Sequence, residues 1–469
     1  MKKTLMFFAA TAILLPACSE KNPVLSVEGG LVQGVEYEDG IAVYKGIPYA
    51  AAPVGDLRWK APQAVTPWDG VRVCDEFGAP SLQGAHTPGG YTPEFFFDGD
   101  PEFSEDCLYL NIWTPAAGKT KEKLPVCLWI HGGGFVAGWG SEPEMDGLEW
   151  ARHGCVLVTF NYRLGVLGFL THPQLSAESP DGVSGNYGIQ DQIAALNWVR
   201  NNIGQFGGDP ERITIMGQSA GARSVQILST SPLSKDLFSG AIIQSGGGID
   251  QRSTRGYASL EDCEQDGKKL MDWMGYETLE EMRAAPAQQF VNVTYRYSAD
   301  TGERLRSLTS PVIDGKVLPK TFGQAALDGE IAPVPYMIGG TLDDMAGLDK
   351  GIKEFCLQRD ADGGVAYAYH FDRRLPTDGR PDVLEGAFHS SELWFMFKSL
   401  DHCWRPFTEG DHGLAEQMIS CWTDFVKYGN PNGPEAGPWT PCTADSPLNY
   451  SFCLNEDDNV SSHMAEFAE

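Results

Sequence analysis

Short, uninterrupted apolar runs recur along the chain and limit the folds that are open to it. Leu124–Ile130 and Cys155–Phe160 contain no charged residue, whereas a strand with one solvent-exposed face would alternate polar and apolar side chains. Such runs are typical of parallel strands that helices cover on both faces. Residues 190–203 then place apolar side chains at helical spacing before the next strand-like run, Arg212–Met216. This alternation predicts an α/β fold with a central, mostly parallel sheet flanked by helices.

The same pattern continues towards the end of the chain. Further strands are predicted at Ala241–Gln244, Val334–Ile338 and Val365–Phe371, and a closing helix at Glu416–Tyr428. Residues 251–310 are polar, show helical patches and carry no strand signal, so we expect a helical insertion there. No internal repeat and no low-complexity linker separates these segments.

The first residues have the character of an export signal. Lys2 and Lys3 precede an apolar stretch, Leu5–Leu15, that is too short to cross a bilayer. Cys18 follows a small residue at the end of this stretch, as in the processing box of bacterial lipoproteins, where the cysteine is acylated. We expect residues 1–17 to be a lipoprotein-type signal peptide. The alternative is ordinary signal cleavage nearby with an incidental cysteine, and both interpretations export the protein.

Export of this kind predicts a bacterial periplasmic protein, or an outer-membrane or cell-surface lipoprotein tethered to the membrane through Cys18. No later stretch reaches eighteen apolar residues, so no transmembrane helix is expected. Residues 18–469 are predicted to form a single domain.

The charge balance excludes one large class of partners. The chain has 35 Lys and Arg against 63 Asp and Glu, a net charge of −28. A protein that binds nucleic acid needs basic clusters to neutralise phosphates, and none is present, so no nucleic-acid partner is expected. The acidity indicates solubility, with an attraction for cationic substrates as the alternative. The cysteines after Cys18 are scattered without zinc-like spacing, and neither a metal nor a cofactor is expected.

The segment Gly217-Gln-Ser-Ala-Gly221 matches the pattern G-x-S-x-G. It directly follows the predicted strand Arg212–Met216 and precedes a helix-like run, Ala222–Ser229, which is the strand–turn–helix context of a nucleophile elbow. Glycines remove Cβ atoms where this turn is too tight for them, so that the hydroxyl of Ser219 can stand clear of the sheet. Ser219 is therefore a candidate nucleophile, and the alternative is an ordinary serine in a glycine-rich turn.

A second motif, His131-Gly-Gly-Gly134, stands at the end of the predicted strand Leu124–Ile130. The backbone N–H groups of such a loop can point at a developing oxyanion without interference from side chains. A phosphate-binding loop is the alternative, but the lysine or the G-x-G-x-x-G pattern of such loops is missing. The N–H of Ala220, directly after the candidate nucleophile, would add a further donor.

A serine nucleophile of this type needs an acid and a histidine later in the chain. Asp343 and Asp344 follow the predicted strand Val334–Ile338, where a loop at the carboxyl edge of the sheet would hold them. Spacing does not choose between these aspartates, nor among the histidines that follow Ser219, which are His370, His389, His402, His412 and His463.

Several stretches in a fixed order resemble the type-B carboxylesterase family, the relatives of cholinesterases and of bacterial p-nitrobenzyl esterases. The resemblance covers most of residues 25–430 and implies an α/β-hydrolase fold with helical insertions. The matching stretches are Tyr44-Lys-Gly-Ile-Pro-Tyr-Ala50, Pro53-Val-Gly-Asp-Leu-Arg58, Ser104-Glu-Asp-Cys-Leu-Tyr-Leu-Asn111, His131-Gly-Gly-Gly-Phe135, Asn161-Tyr-Arg-Leu-Gly165, Asn201-Asn-Ile-Gly-Gln-Phe-Gly-Gly-Asp-Pro210 and Gly217-Gln-Ser-Ala-Gly221.

The resemblance also implies roles for individual residues. Ser219 matches the nucleophile, and the N–H groups of Gly133, Gly134 and Ala220 match the oxyanion hole. The family's acid lies in a segment like Gly339-Gly-Thr-Leu-Asp-Asp344, which puts Asp344 at the acid position with Asp343 as the alternative. The family's histidine lies in a segment like His389-Ser-Ser-Glu-Leu393, which selects His389.

The chain departs from the family at four places. The acid is usually Glu, and Asp344 is one methylene shorter. The residue before the nucleophile is often Glu, but Gln218 is neutral, and residues 80–100 hold no counterpart of the choline-binding tryptophan segment, so choline esters are not expected. The family's first disulfide uses the cysteine that matches Cys107, but its partner segment here reads Ser81-Leu-Gln83, so the bridge is lost or moves to Cys74.

The resemblance therefore implies an exported serine carboxylic-ester hydrolase that acts on small-molecule esters through an acyl-enzyme. Arg58, Glu105 and Arg163 match ion-pairing positions of the family and are interpreted as structural. The same fold also serves as a non-catalytic adhesion module, as in neuroligin-like proteins, but such modules typically lose the serine. The aromatic-rich segment Tyr91–Phe103 is expected either to wall a substrate pocket or to pack in the core.

Overall fold

The structure is a computed structural model that describes residues 23–249, 257–305, 308–345 and 347–467. The predicted signal peptide, residues 1–17, and Cys18 lie outside the described residues, so their processing and lipidation stay predictions.

Fourteen strands of the described part form two sheets. The larger has eleven strands in the order β14-β13-β12-β11-β10-β9-β7-β8-β6-β4-β3, and the smaller joins β1, β2 and β5. The strands are β1 Leu25–Val27, β2 Gly30–Gln33, β3 Val35–Glu36, β4 Ala42–Pro48, β5 Val71–Val73, β6 Tyr109–Thr114, β7 Leu124–Ile130, β8 Val156–Phe160, β9 Gly208–Gln218, β10 Gly240–Gln244, β11 Tyr336–Thr341, β12 Ala366–Phe371, β13 Leu448–Phe452 and β14 His463–Glu466.

The centre of the large sheet is parallel and its two edges are antiparallel. The consecutive pairs from β8 through β7, β9, β10, β11 and β12 to β13 are all parallel. The pairs β3–β4, β4–β6, β6–β8 and β13–β14 are antiparallel. The central strands β7 to β12 are almost wholly buried, as strands covered on both faces must be. The predicted α/β fold with a mostly parallel sheet is confirmed.

The helices lie between the strands and in the insertions. They are α1 Thr92–Phe95, α2 Leu148–Arg152, α3 Gly165–Phe169, α4 Pro173–Glu178, α5 Tyr187–Asn202, α6 Ala220–Thr230, α7 Leu260–Met274, α8 Leu279–Ala284, α9 Val293–Thr301, α10 Phe322–Leu327, α11 Leu348–Ala361, α12 Leu393–Met396 and α13 Glu409–Tyr428. The insertion predicted at residues 251–310 contains α7, α8 and α9 and no strand in its described part. No helix among the described residues is long and apolar enough to cross a membrane.

The last helix begins seven residues earlier than its apolar pattern predicts, at Glu409 and not at Glu416. Thr408 and Asp411 form a capping box there, in which each side chain accepts a hydrogen bond from the other's backbone N–H. The Arg373 guanidinium also binds Asp411, with 2.7 Å between Nε and Oδ1. Because these contacts hold a polar first turn in place, the helix extends beyond the region that an apolar period reveals.

The structure also shows the predicted ion pairs and the two cysteines considered for the family's first disulfide. Arg58 contacts Glu105 at 2.6 Å, and Arg163 contacts the fully buried Asp191 at 2.7 Å. Cys107 is a free, buried thiol that interacts with the Ser81 side chain. Cys74 is free as well, so this structure has lost the family's first disulfide and has not moved it to Cys74.

Candidate active site

The candidate nucleophile, Ser219, lies at the sharp turn between β9 and α6. Its φ is 56° and its ψ is −116°, a region that residues with a Cβ rarely occupy. The Ser219 N–H donates to the carbonyl of Gln244 at the end of β10, a distance of 2.9 Å. This bond fixes the turn at the carboxyl edge of the sheet, and Ser219 itself is only partly buried.

The two glycines of the motif are required by the space around the turn. A Cβ on Gly217 would lie 2.5 Å from the backbone of Gly221, and a Cβ on Gly221 would lie 2.0 Å from the Ile130 carbonyl oxygen. Neither position can hold a side chain, because these contacts are with backbone atoms that cannot move aside. The motif therefore lets the start of α6 lie close to the end of β7, next to the turn that carries Ser219.

The glycine-rich loop after β7 lies directly against this turn. A Cβ on Gly132 would be 3.4 Å from the Ser219 Cβ, and Gly133 and Gly134 have φ angles of 91° and 65°. Within the described part of the chain, the N–H groups of Gly133 and Gly134 donate no hydrogen bond. Ala220 is the first residue of α6, where the N–H groups have no partner within the helix. Three unpaired backbone donors thus belong to the surroundings of Ser219.

His389 and Asp344 form a direct pair. The distance from His389 Nδ1 to Asp344 Oδ1 is 2.7 Å, and the two side chains are 18% and 4% exposed. Because a carboxylate can only accept, Nδ1 carries the hydrogen and Nε2 is left with its lone pair in the neutral ring. This is the tautomer that a histidine base requires.

The Asp344 carboxylate receives three further hydrogen bonds. Oδ2 accepts from the Ser245 hydroxyl at 2.5 Å and from the Thr341 N–H at 3.2 Å, and Oδ1 accepts from the Met345 N–H at 2.7 Å. Burial alone would raise the pKa of Asp344, but His389 and these donors lower it below its usual range. Burial would likewise lower the pKa of His389, and the Asp344 carboxylate raises it above the ordinary histidine value.

Asp343 points elsewhere. Its Oδ1 accepts from Arg374 at 3.1 Å and its Oδ2 accepts from the Ala387 N–H at 2.9 Å. The structure therefore brings Asp344, and not its neighbour Asp343, to His389, as expected for adjacent residues at the end of a strand.

The Nε2 atom of His389 is directed at Gln218. The Gln218 Nε2 lies 3.2 Å away and donates to this lone pair, and no hydrogen bond joins Ser219 Oγ to His389 in the described residues. Gln218 is buried at the end of β9, next to Ser219. The neutral residue that replaces the family's usual glutamate thus competes with Ser219 for the base.

A cavity of about 360 Å³ opens onto Ser219 and His389. Three aromatic residues of the predicted segment, Tyr91, Phe95 and Phe96, line it, whereas Phe97 is exposed outside it. Phe95 also stacks on the buried Trp394 at a centroid distance of 5.7 Å, so this segment serves both the cavity and the core. The remaining lining residues are His86, Gly132, Gly133, Gly134, Ala137, Gly138, Glu142, Glu144, Met145, Gln218, Ser390 and Leu393.

Four residues near the site were not identified from the sequence. Ser245 follows the strand β10 and donates to Asp344. Because Ser245 and Asp344 both follow strands at the carboxyl edge of the sheet, the sequence could have suggested this contact. Glu392 is fully buried, and burial followed by the Asp344 charge raises its pKa to about 7. Glu142 and Glu144 are buried in the cavity wall. No local pattern marks buried carboxyls of this kind, because only the tertiary structure removes them from water.

The other histidines show different environments. His131 is fully buried and stacks on Tyr162, and burial lowers its pKa to about 4. His370 contacts Asp372 at 2.5 Å at the end of β12. In the described ranges, no group of three or more His, Cys, Asp or Glu side chains is arranged to hold a metal ion.

A family model described as "Carboxylesterase family" matches residues 21–352 and 348–467. The chain is 31% identical over 470 residues to the para-nitrobenzyl esterase of Bacillus subtilis (strain 168), a match that covers 89% of this chain and 92% of that protein. It is 32% identical to the phenmedipham hydrolase of Pseudarthrobacter oxydans, covering 91% and 94%.

A third relative is the fumonisin B1 esterase of Sphingopyxis macrogoltabida, which is 40% identical over 343 residues. That match covers 71% of this chain but only 59% of the relative's length. Solved structures agree in fold. A PNB esterase superposes with a TM-score of 0.78 at 26% identity over 94% of this chain and 97% of that one. A carboxylesterase of Geobacillus stearothermophilus reaches 0.75 at 30% identity over the same shares.

Proposed function

The chain belongs to the carboxylesterase family and is a carboxylic-ester hydrolase with the α/β-hydrolase fold; from this premise we propose that Ser219, His389 and Asp344 form its catalytic triad. The observation that carries this proposal is that His389, which lines the same cavity as Ser219, contacts Asp344 through its Nδ1 atom at 2.7 Å. The proposed substrate class is small esters that fit this apolar cavity.

The first step is attack by Ser219 on the ester carbonyl carbon. Neutral His389 takes the hydroxyl proton at Nε2, and Asp344 stabilises the imidazolium that results. For this step Nε2 exchanges its contact with Gln218 for one with Ser219 Oγ, and such hydrogen bonds often form only when substrate is bound.

The tetrahedral oxygen then carries a negative charge. The N–H groups of Gly133, Gly134 and Ala220, which no described residue accepts, are proposed as its hydrogen-bond donors. Because these donors belong to a loop fixed by glycine geometry and to a helix start, little reorganisation accompanies the charge.

Breakdown of this intermediate completes the cycle. His389 returns its proton to the leaving alcohol oxygen, which leaves an acyl group on Ser219. Water enters, gives a proton to His389 and attacks the acyl carbon. His389 then returns this proton to Ser219 Oγ as the bond to the acyl carbon breaks, which releases the acid product and restores the free enzyme.

The test of the triad compares wild type with Ser219→Ala on p-nitrophenyl acetate. The rate should fall by roughly a million-fold, as for loss of the nucleophile in a measured hydrolase, with unchanged circular dichroism. A fluorophosphonate should add its mass to the peptide that contains Ser219 and to no peptide of the variant. Turnover within tenfold of wild type would reject Ser219.

Export and lipidation are a separate part of the proposal. The apolar stretch before Cys18 supports cleavage after residue 17 and acylation of Cys18. Mass spectrometry of the mature amino terminus from a bacterial host should find diacylglycerol on Cys18, and Cys18→Ser should release the protein from the membrane fraction. A mature terminus elsewhere, with wild type in the aqueous fraction, would reject the tether.

A further inference from the structure

Two glutamates in the wall of the catalytic cavity, Glu142 and Glu144, are buried and form no ion pair with a cation among the described residues. They lie on either side of Pro143 in the loop that follows the glycine-rich turn, and their residues are 8% and 1% exposed. Both line the same cavity as Ser219. Buried carboxyls are rare unless they are paired, because removing a charge from water is costly.

The two carboxyls interact with each other. Glu142 Oε1 accepts from the Trp139 N–H at 2.8 Å, and the Glu142 and Glu144 side chains are hydrogen-bonded. Since ionised carboxylates only accept, this contact requires a shared proton. Burial raises the pKa of both groups, and the Glu142 charge raises that of Glu144 further. Burial therefore favours the protonated form of the pair, and a cation in the cavity would stabilise its ionised form.

Neither glutamate forms a salt bridge with a described residue. Glu94, whose charge acts on Glu144, already holds the Arg405 guanidinium, with 2.7 Å between Nη2 and Oε2. Glu94 adds a repulsive charge that contributes to the raised pKa of Glu144. The contrast with Glu94 indicates that the pair is built to remain unneutralised within the chain.

A second observation points to a ligand. Apart from the contact between the two carboxyls, Glu144 Oε2 has no hydrogen-bond partner in the described part of the protein, although the side chain is almost fully buried in the cavity wall. An unsatisfied buried acceptor is unfavourable by about 1–3 kcal/mol, so a native site usually retains one for a reason.

The nucleophile and the pair open onto the same cavity. Ser219, Glu142 and Glu144 all line this space of about 360 Å³. The glycine-rich loop packs closely beside it, since a Cβ on Gly132 would lie 3.4 Å from the Ser219 Cβ and a Cβ on Gly138 would lie 3.2 Å from Glu142 Oε1. A short chain attached to the scissile ester can therefore reach the pair within the cavity.

We propose, on the basis of the esterase function proposed above, that Glu142 and Glu144 form a subsite for a primary ammonium group carried by the ester substrate. A primary ammonium supplies the missing charge and up to three hydrogen-bond donors, which pair with acceptors such as Glu144 Oε2. An alkyl group would leave these acceptors unsatisfied, and a quaternary ammonium supplies charge but no donor. The subsite therefore selects for a donor as well as for charge.

The experiment compares kcat/KM for 6-aminohexyl butyrate, heptyl butyrate and 6-(trimethylammonio)hexyl butyrate at pH 8. Wild type should prefer the primary ammonium ester over both others by about tenfold or more, the effect of one good hydrogen bond to a charged group. Glu142→Gln and Glu144→Gln should each reduce this ratio to near one. Glu102→Gln, an exposed acid outside the cavity lining, is the matched control and should keep it.

Three results would overturn the subsite: a wild-type ratio near one, a ratio that survives in both glutamine variants, or equal use of the primary and quaternary esters. Should the variants fail to fold, hexylammonium must inhibit wild-type hydrolysis of p-nitrophenyl acetate at least tenfold more strongly than hexanol does, or the subsite is rejected. Failure of the esterase function is distinguishable, because then no ester is hydrolysed. Calorimetric binding of hexylammonium to the Ser219→Ala protein still decides the subsite in that case.

Discussion

The carboxyls of Asp344 and of the Glu142–Glu144 pair are all largely removed from water, but their pKa values are shifted in opposite directions. Asp344 receives hydrogen bonds from His389, Ser245 and two backbone N–H groups, and its pKa falls below the usual range despite burial. The pair receives the Trp139 N–H, the backbone N–H of Glu144 itself and the contact between the two carboxyls, yet both pKa values rise. Burial raises a carboxyl pKa in each case, so the number of donors decides the final direction.

This contrast separates two tasks within one site. A carboxylate that must stay charged next to an imidazole is surrounded by donors before any substrate arrives. A carboxyl pair that binds a substrate group gains by remaining incompletely satisfied until the substrate supplies the donor. The predictions below test each side of this comparison.

The largest expected effect on activity follows from removing the charge of Asp344. Asp344→Asn should lower kcat/KM on an aryl acetate by roughly ten-thousand-fold, because the amide no longer selects the imidazole tautomer or stabilises the imidazolium. Asp343→Asn is the matched control and should keep most activity, since Asp343 binds Arg374 and Ala387 instead. If Asp343→Asn is the inactive variant, Asp344 is not the acid.

The pH profile should follow from the same contact. Below the pKa of His389 the ring holds both protons and cannot act as a base, so activity is lost as the pH falls through that pKa. Because Asp344 raises this pKa above the ordinary value of 6.5, the midpoint of kcat/KM should lie above 6.5, with about a tenfold loss per pH unit below it. A flat profile from pH 5 to 8, with chemistry rate-limiting, would contradict a histidine base.

Removal of one donor from Asp344 should have a smaller effect. Ser245→Ala deletes the hydroxyl that donates to Oδ2 at 2.5 Å, and a hydrogen bond to a charged group contributes about 1.5–3 kcal/mol. We expect a roughly tenfold lower kcat/KM. Ser239→Ala removes a hydroxyl at the opposite end of β10, where it contacts the Ile213 carbonyl, and should leave kcat/KM unchanged. An equal loss in both variants would mean that the effect is not on Asp344.

The smallest expected effect is on stability. A glutamate whose folded pKa is raised above the unfolded value of 4.5 favours the protonated state, so wild-type stability should fall as the pH rises above about 4.5. Glu142→Gln keeps the acceptor for Trp139 and removes this titration. Between pH 5 and pH 8 the variant should gain about 1–3 kcal/mol relative to wild type, measured by thermal unfolding. A variant that is less stable at both pH values would show that the charge is compensated.

Much of the fold and of the candidate site could be predicted from the chain. The strands Leu124–Ile130 and Ala241–Gln244 were predicted to within one residue, because a strand buried on both faces excludes charges and is recognisable as an uninterrupted apolar run. The strands β6, β13 and β14 were not predicted, because polar residues such as Asn111 in β6 and Asn449 in β13 interrupt their apolar runs and β14 is short. The resemblance to a family was needed to select His389 and Asp344, which spacing left among several candidates.

By itself, the sequence determined the turn that carries Ser219 and the loop at Gly133 and Gly134. A Cβ on Gly217, Gly221 or Gly133 would collide with backbone atoms, and Gly134 has a positive φ of 65°, so the pattern of glycines records these requirements directly. Only the tertiary structure decided the charge states around them. Whether Asp344, Glu142 and Glu144 are ionised depends on donors and neighbours from distant segments, and on how much water the folded chain excludes. Those quantities exist only after the elements have packed together.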